Sequence, residues 1–141
     1  MSKKIYWANA LFSEADRKFN EGSVERVRAM GYSVFLPQEA FVKNADPTNE
    51  EIFKTDTEEL QSCDAIVACL DQLPIDAGVA CEIGVAYASD IPVIGLYTDI
   101  RKKRAGPGRM YKNQYVLGAI EAQGEIVSSI DELLDTLPKY I

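Results

Sequence analysis

Short apolar runs alternate with amphipathic or capped segments along the whole chain. The apolar runs have the length and composition of strands that are buried on both faces of a sheet. The predicted strands are Lys4–Ala8, Tyr32–Leu36, Ala65–Leu70, Pro92–Tyr97 and Gly124–Val127. Because strands that alternate with helices form parallel sheets, the pattern predicts one α/β domain over residues 1–141. We expect a flavodoxin-like three-layer sandwich with a five-stranded parallel sheet.

Local signals predict where the helices and loops lie. Ser13 precedes Asp16 by three residues, as in a capping box, and Gly31 is expected to end the helix that follows. The polar stretch 39–49 and the charged, glycine-rich stretch 98–108 are expected to be loops. Asn49 or Thr48 is expected to cap a helix that runs to about Ser62. The other predicted helices begin at Ala77 or Gly78, near Tyr111, and after Ser128 or Ser129.

Composition restricts the chemistry. The chain has no histidine, which excludes Ser-His and Cys-His pairs, histidine proton shuttles and histidine-ligated metals. Acid–base chemistry at neutral pH must then use carboxylates, Lys, Tyr or Cys. The net charge of −7 argues against binding to a nucleic acid polymer, since an acidic surface repels phosphates.

The three cysteines indicate a reducing compartment. Cys63, Cys69 and Cys81 are odd in number and lack CxxC spacing, so neither a disulfide framework nor a zinc site is expected. We expect all three to be buried thiols, with Cys81 facing inward. No apolar window is long enough to span a membrane. The sequence therefore predicts a cytoplasmic domain without a metal or cofactor.

Glu82 is the sharpest candidate for chemistry. Ligands of open α/β sheets lie beyond the carboxyl ends of the strands, and Asp76 and Glu82 follow the third predicted strand. If the helix begins at Ala77 or Gly78, Glu82 lies near its first turn, where the helix dipole favours the ionised carboxylate that a nucleophile requires. Glu82 could instead only complement the dipole, and Asp76 could be a plain N-cap.

Four segments carry a resemblance to a known family. The run from Asp76 to Ala86 has the form D-x-G-x-x-x-E-x-G-x-A, and it lies between two buried strands. The segments KIYWANALF, FLPQ and NQYVLG supply further matches in the same order. Over residues 4–120 the chain resembles the nucleoside 2-deoxyribosyltransferase family.

The resemblance implies a two-step exchange of the base on a 2′-deoxynucleoside, with no cofactor. Glu82 matches the glutamate that attacks C1′ and forms a covalent deoxyribosyl-enzyme. Asp56 matches the aspartate that handles the proton of the departing base, and Tyr6 matches the tyrosine that positions the nucleophile. Asp76 matches the residue that binds the deoxyribose hydroxyls, and Gly78 leaves room for the ligand beside Glu82.

Further matches concern the base and a second subunit. Gln38 matches a polar residue near the base, and Phe12 matches an aromatic residue that stacks on it. Asn113 and Tyr115 match residues that reach the deoxyribose site from a neighbouring subunit, which implies a homo-oligomer. The implied partners are deoxynucleosides and free nucleobases.

Simpler interpretations stay open for several of these residues. On a buried strand Tyr6 would ordinarily be a core residue, and on a polar helix Asp56 would ordinarily face solvent. Gln38 after Pro37 fits ordinary turn chemistry. Asp99 and Arg101 are expected to form a local ion pair rather than a catalytic one.

Two other functions compete with base exchange. One is hydrolysis of the N-glycosidic bond of a deoxynucleoside or its 5′-monophosphate. The loop ANALFSEAD is glycine-free and acidic, which argues against a phosphate cradle. The other is a receiver or nucleotide-sensing module, which would need an acidic pair after the first strand, where the chain has Asn9 and Ala10.

Overall fold

The computed structural model describes residues 1–40, 46–103 and 112–141. Its sheet has five strands in the order β2-β1-β3-β4-β5, and every neighbouring pair is parallel. The strands are β1 (Lys4–Ala8), β2 (Ser33–Phe35), β3 (Ala65–Cys69), β4 (Val93–Leu96) and β5 (Glu125–Val127). This is the flavodoxin-like order, so the predicted fold class is confirmed.

Helices cover both faces of the sheet. They are α1 (Glu14–Ala29), α2 (Pro37–Ala40), α3 (Asn49–Gln61), α4 (Ala77–Ala88), α5 (Gln114–Gln123) and α6 (Ile130–Thr136). Short 3₁₀ turns occupy Ile100–Lys103 and Leu137–Lys139. No described helix is both long enough and apolar enough to cross a membrane.

Two apolar clusters form the core, one on each face of the sheet. Alternate residues of a strand point to opposite faces, so Tyr6 and Trp7 of β1 belong to different clusters. Tyr6 packs on the side that is covered by α3, α4 and α5, and Trp7 packs on the side that is covered by α1 and α6. Both side chains are fully buried. The alternation in β1 therefore directs Tyr6 toward the helices that carry Asp56 and Glu82.

Side-chain caps begin the helices where the sequence signals predict. Ser13 accepts a hydrogen bond from the Asp16 amide at the start of α1, and Thr48 accepts one from Glu51 at the start of α3. Ser129 caps α6 in the same way. Each cap satisfies an amide that the first helical turn leaves without a partner.

Two glycines occupy positions that other residues would strain. Gly31 has a φ of +98° after α1, a conformation that L-residues rarely adopt, so the predicted end of that helix is confirmed. At the start of β5 the chain passes so close to β4 that a Cβ on Gly124 would lie 1.8 Å from the Val93 carbonyl oxygen.

The two predicted loops contain more helix than expected. Residues 37–40 form α2, because Pro37 suits a first helical position, and so the prediction of a loop from residue 39 was wrong at its start. Likewise a 3₁₀ turn occupies Ile100–Lys103 inside the stretch predicted to be a loop. Residues 46–48 and 98–99 have no helix or strand, as predicted, and residues 41–45 and 104–108 lie outside the described residues.

Candidate active site

Three side chains from three different elements meet beneath the carboxyl end of the sheet. Tyr6 extends from β1, Asp56 from α3 and Glu82 from α4. Asp56 and Glu82 line two adjoining cavities, of about 520 Å³ and about 260 Å³. The larger cavity extends toward the loop after β1, and the smaller cavity lies between α3 and α4. A pair of carboxyl groups thus stands where the two cavities join.

The Tyr6 hydroxyl faces the Glu82 carboxyl. The hydroxyl is directed at the Glu82 carboxyl and lowers its pKa. It makes no hydrogen bond of normal geometry to any described residue. Burial, the Glu82 charge and the Asp56 charge all raise the pKa of Tyr6, so the phenol keeps its proton and can only donate to a carboxylate. The ring is held by stacking on Phe35, with 5.4 Å between centroids.

Asp56 is a partly buried carboxyl with an unsatisfied oxygen. Burial, with a smaller contribution from the Glu59 charge, raises its pKa to about 6. Its Oδ1 atom is buried and makes no hydrogen bond to any described residue. The interpretation of Asp56 as a solvated surface residue was therefore wrong, because α3 turns this side chain against α4 and into the cavities.

The predicted electrostatics of Glu82 were also wrong. Since α4 begins at Ala77, Glu82 is the sixth helical residue, beyond the first turn where the helix dipole acts. Burial is the largest influence on this carboxyl, followed by the Tyr6 hydrogen bond and the charges of Asp56 and Asp76. Burial and the two charges outweigh the lowering effect of Tyr6 and raise the Glu82 pKa to about 7, so the site holds Glu82 between its protonated and ionised forms near neutrality.

Asp76 and Gly78 form the opening of α4 onto the larger cavity. One Asp76 oxygen, Oδ2, accepts from the Val79 amide at 3.1 Å, so Asp76 is the N-cap of this helix. Both Asp76 and Gly78 line the larger cavity as well. A Cβ on Gly78 would lie 3.2 Å from Asp76 Oδ2, so a side chain there would press on the carboxylate and fill the space beside it. The capping role and a place in the cavity are thus compatible.

Phe12 stands at the rim of the larger cavity. Its ring is 80% exposed, and the neighbouring loop residues Asn9, Ala10 and Leu11 line the same cavity. An exposed aromatic face beside a cavity that ends in two carboxyl groups is available to stack on a planar ligand.

Gln38 is placed differently from the other predicted contacts. It lies on α2, and its amide is engaged with α1: Oε1 accepts from Asn20 at 2.9 Å, and Nε2 contacts the Arg17 carbonyl oxygen and the Glu21 carboxylate. The larger cavity is lined by its neighbour Pro37 instead. Contact between Gln38 and a base stays a prediction.

Asn113 and Tyr115 lie on another surface of the same chain. Asn113 caps α5 by accepting hydrogen bonds from the Tyr115 and Val116 amides. Tyr115 is 91% exposed and lines a groove between α4 and α5, together with Gly84 and Tyr87. We call this the α4–α5 groove. Neither residue lines the two cavities that Glu82 lines.

Cys81 does not face the core, so that prediction was wrong. The side of α4 that packs on the sheet carries Val79, Ile83 and Ala86, and Cys81 lies off that side. Its thiol is exposed and lines the smaller cavity. Cys63 and Cys69 are buried as expected.

Charged residues beyond the third and fourth strands form a separate structural cluster. Arg101 pairs with Asp99 at 2.7 Å, which confirms the predicted ion pair. Asp71, at the end of β3, accepts hydrogen bonds from the Thr98 amide and hydroxyl and from the Asp99 amide. Within the described ranges, no group of three Cys, Asp or Glu side chains converges as a metal ion would require.

The sequence pattern did not predict that the buried side-chain amides of Asn9 and Asn20 belong to one hydrogen-bond network. Asn20 of α1 is 1% exposed, and Asn9 follows β1 and is 9% exposed. A polar residue between the apolar positions Phe19 and Val24 was the available signal for Asn20. Its partners are separated from it by 10 to 18 residues, so the sequence pattern could not name them.

Comparison with solved structures shows that other proteins share this fold. The chain is 38% identical to a conserved protein from Enterococcus faecalis V583, over 100% of both chains, with a TM-score of 0.92. The 2-deoxyribosyltransferase of Bacillus psychrosaccharolyticus is 22% identical, over 94% of this chain and 90% of that one, with a TM-score of 0.75. The CMP N-glycosidase BcmB of Clostridium botulinum is 18% identical, over 99% and 100%, with a TM-score of 0.60. These last two show likeness of fold alone.

The sequence itself matches a family model. No curated protein sequence matches significantly. The model described as nucleoside 2-deoxyribosyltransferase matches residues 5–130, which include Tyr6, Asp56, Asp76 and Glu82. The chain therefore belongs to the nucleoside 2-deoxyribosyltransferase family.

Proposed function

We propose that this protein transfers the 2-deoxyribosyl group between nucleobases through a covalent deoxyribosyl–Glu82 intermediate. The observation that carries the proposal is the meeting of the Glu82 and Asp56 carboxyls in adjoining cavities, with the Tyr6 hydroxyl directed at Glu82. Two carboxyl groups are sufficient for substitution at a sugar carbon, and the chain has no histidine to take either role.

The first half-reaction forms the covalent intermediate. The Glu82 carboxylate attacks C1′ and forms a C1′–O bond while the C1′–N bond breaks, and the bonding electron pair leaves with the base. Asp56 donates its proton to the departing base and becomes a carboxylate. The developing positive charge of the sugar is stabilised by the carboxylate that it approaches.

The second half-reaction reverses these roles with another base. A nitrogen of the incoming base attacks C1′ from the side that the first base left, and the C1′–O bond to Glu82 breaks. Asp56 takes the proton of the incoming base, and the Glu82 carboxylate is restored. Because C1′ is inverted twice, the configuration of the nucleoside is retained.

The first half-reaction begins with one proton on the pair of carboxyl groups: Asp56 is protonated and Glu82 is ionised. Pairs of close carboxyl groups release their protons in two steps that belong to the pair. With pKa values of about 7 for Glu82 and about 6 for Asp56, the singly protonated pair is abundant between those pH values, but most of it carries the proton on Glu82, so the reactive form with the proton on Asp56 is the minor one. The Tyr6 hydroxyl favours the form with the charge on Glu82, since it donates to the carboxylate.

The unsatisfied polar atoms support a polar ligand in this position. The Tyr6 hydroxyl and Asp56 Oδ1 are both buried without a closed hydrogen bond among the described residues. Buried polar atoms normally have partners, and a missing partner costs about 1–3 kcal/mol each. A nucleobase nitrogen beside Asp56 would supply one such partner, with Phe12 stacked on the base and Asp76 hydrogen-bonded to the sugar.

We place Asn113 and Tyr115 in the site of a second copy of the chain. Tyr115 is exposed, the α4–α5 groove beside it is apolar, and Gly84 and Tyr87 of α4 are exposed there as well. A two-fold interface on this groove would bury the tyrosines and bring α5 of one copy to α4 of the other.

Hydrolysis of deoxynucleosides or their 5′-monophosphates is the alternative. A phosphate group would need free backbone amides in the loop after β1. The Ala10 amide already donates to Asn9 Oδ1 at 2.8 Å, so this amide is not free for a phosphate, and the loop is also glycine-free and acidic. Phosphate-free deoxynucleosides are therefore the expected substrates.

One assay separates the two reactions. The protein is incubated with a deoxynucleoside and a different free base, and the products are separated by chromatography. Base exchange yields the second deoxynucleoside with retained configuration. Release of free deoxyribose without the new nucleoside would contradict transfer and favour hydrolysis.

A further inference from the structure

Asn20 is the centre of a buried hydrogen-bond network on the opposite side of β1 from Tyr6. Its Oδ1 accepts from Trp7 Nε1 at 3.0 Å and from Asn9 Nδ2 at 2.8 Å. Its Nδ2 donates to the Ala10 carbonyl oxygen at 3.1 Å and to Gln38 Oε1 at 2.9 Å. Two acceptances and two donations are the full capacity of a side-chain amide.

The orientation of this amide is fixed by its partners. Trp7 Nε1 can only donate, so the atom of Asn20 that it contacts must be the oxygen. The Ala10 carbonyl can only accept, so the atom facing it must be the nitrogen. Because neither partner can reverse its role, a flipped amide would lose both bonds and is excluded on chemical grounds.

The network holds the loop that forms one wall of the larger cavity. Asn9, Ala10, Leu11 and Phe12 all line that cavity, and the loop has no regular secondary structure of its own. Asn20 binds the first two of these residues. Arg17, one turn earlier on α1, donates to the Phe12 carbonyl oxygen at 2.7 Å. The wall is therefore attached to α1 at both ends.

Gln38 closes the network from the other side. Its Oε1 binds Asn20, and its Nε2 contacts the Arg17 carbonyl oxygen at 3.2 Å and the Glu21 carboxylate at 3.3 Å. Both Nε2 hydrogens and one lone pair of Oε1 are thus directed at α1. A residue held in this way can affect a ligand through the loop without touching it.

We propose that Asn20 is a positioning residue that fixes the Asn9–Phe12 wall of the substrate cavity, and that Gln38 acts through Asn20 rather than by contacting the base. The identity of the ligand rests on the proposed function, whereas the attachment of the wall does not. An anchored wall keeps Phe12 in place for stacking and lowers the ordering cost of binding.

The test compares Asn20→Ser with Trp7→Phe as a matched control. Asn20→Ser breaks the bonds to the wall, whereas Trp7→Phe removes one buried bond of the same Asn20 and leaves those to Asn9 and Ala10 intact. Backbone hydrogen exchange of the loop amides is measured in both variants without ligand, and KM and kcat for base exchange are measured separately. Circular dichroism reports whether the fold of Asn20→Ser is intact, because Trp7 emission would respond to the loss of its own bond to Asn20.

In Asn20→Ser we expect faster hydrogen exchange at the Ala10 amide. We also expect KM for base exchange to rise about tenfold, with a smaller change in kcat. Trp7→Phe should be less stable yet keep KM within about twofold of the parent. The proposal would be overturned if Asn20→Ser kept the hydrogen-exchange rates and the KM of the parent. It would also be overturned if KM rose equally in Trp7→Phe. If the parent protein exchanges no bases, the proposed function fails, and hydrogen exchange alone still decides the role of Asn20.

Gln38→Ala provides an independent test, including the case in which Asn20→Ser does not fold. This change deletes only the outer contacts of the network, on a partly buried residue. We expect faster exchange at the Ala10 amide and a KM that rises by a similar factor for different bases. A KM change that depends strongly on the base, with parent-like hydrogen exchange, would indicate direct contact with the base and overturn this part.

Discussion

The hydroxyl of Tyr6 and the carboxyl of Glu82 act on each other in opposite senses. Tyr6 lowers the pKa of Glu82 by donating to its carboxylate, and the Glu82 charge raises the pKa of Tyr6 and so keeps the phenol protonated. Burial of the carboxyl outweighs the first effect, and the Glu82 pKa rises to about 7. Tyr6 thus increases the ionised share of Glu82 at neutral pH against the larger effect of burial.

Replacing Tyr6 with Phe should raise the Glu82 pKa further, because the donor to the carboxylate is lost. The rate of base exchange should fall about tenfold near pH 6, and the acid limb of its pH profile should move to higher pH. Stability should stay the same or rise by about 1 kcal/mol, because the change removes a buried hydroxyl that has no hydrogen bond of normal geometry among the described residues.

Tyr140→Phe is the control for this change, because its hydroxyl donates to Glu125 at 2.8 Å, away from the cavities. It should leave the pH profile of kcat/KM unchanged. An unmoved acid limb in Tyr6→Phe would count against the assigned role of Tyr6.

Replacing Asp56 with Asn should remove the group that carries the proton of the base. With a pKa of about 6 for Asp56 and about 7 for Glu82, kcat/KM of the parent should be bell-shaped with its maximum between those values. In Asp56→Asn the alkaline limb should disappear. The remaining acid limb should follow the Glu82 pKa alone, which lies below about 7 because the Asp56 charge no longer raises it.

Asp135→Asn, at an exposed position of α6, is the control for Asp56→Asn. The pH profile of kcat/KM in Asp135→Asn should coincide with that of the parent. Retention of both limbs in Asp56→Asn would contradict the assignment of the base proton to Asp56.

Replacing Glu82 with Gln should abolish exchange and stabilise the fold. The native pKa of about 7 lies above the unfolded value of 4.5, so the native state favours the protonated carboxyl. Stability therefore decreases as the pH rises from 4.5 toward 7, and the full cost of ionised Glu82 is present above pH 7. A neutral amide avoids this cost, which amounts to about 1–3 kcal/mol for a partly buried group.

Urea denaturation at pH 8 and at pH 4 measures this difference. Glu82→Gln should gain stability over the parent at pH 8 and lose most of that gain at pH 4. Glu121→Gln, at an exposed position of α5, should show no such pH-dependent gain. An equal effect of Glu82→Gln at both pH values would mean that ionisation of Glu82 is not the cause.

Two inactive variants should restore activity when they are mixed, if Asn113 acts in the site of a neighbouring subunit. A mixed oligomer of Glu82→Gln and Asn113→Ala chains contains one site with both native residues, provided that they come from different chains. The mixture should recover up to about half of the activity per mixed dimer. Light scattering should show that each variant keeps the oligomeric state of the parent, and a mixture that stays inactive would place Asn113 elsewhere.

The sheet was predictable because its evidence is local. Ala65–Cys69 is apolar at every position, and such a run indicates a strand that is covered on both faces. Ser13 likewise marks the start of α1 through a contact only three residues away. The pKa of Glu82 and the hydrogen bonds of Asn20 depend instead on residues far apart in the sequence. Helix α3 helps to bury Glu82 and so raises its pKa, and Asn20 forms hydrogen bonds with Trp7 and Gln38.

Cys81 illustrates the same limit in a single helix. The composition of α4 is small and apolar on nearly every side, so its pattern could not identify which face packs on the sheet. The structure identifies that face by Val79, Ile83 and Ala86, and it leaves Cys81 in the cavity wall beside Glu82.

The covalent role of Glu82 is tested most directly by mass spectrometry of the protein quenched during turnover with a deoxynucleoside and no acceptor base. The account predicts a mass increase of one deoxyribosyl unit that peptide fragmentation assigns to Glu82, and that disappears when a free base is added before the quench. The same increase must be absent from Glu82→Gln. Exchange by the parent without any modified peptide, or a deoxyribosyl group on another residue, would contradict the account.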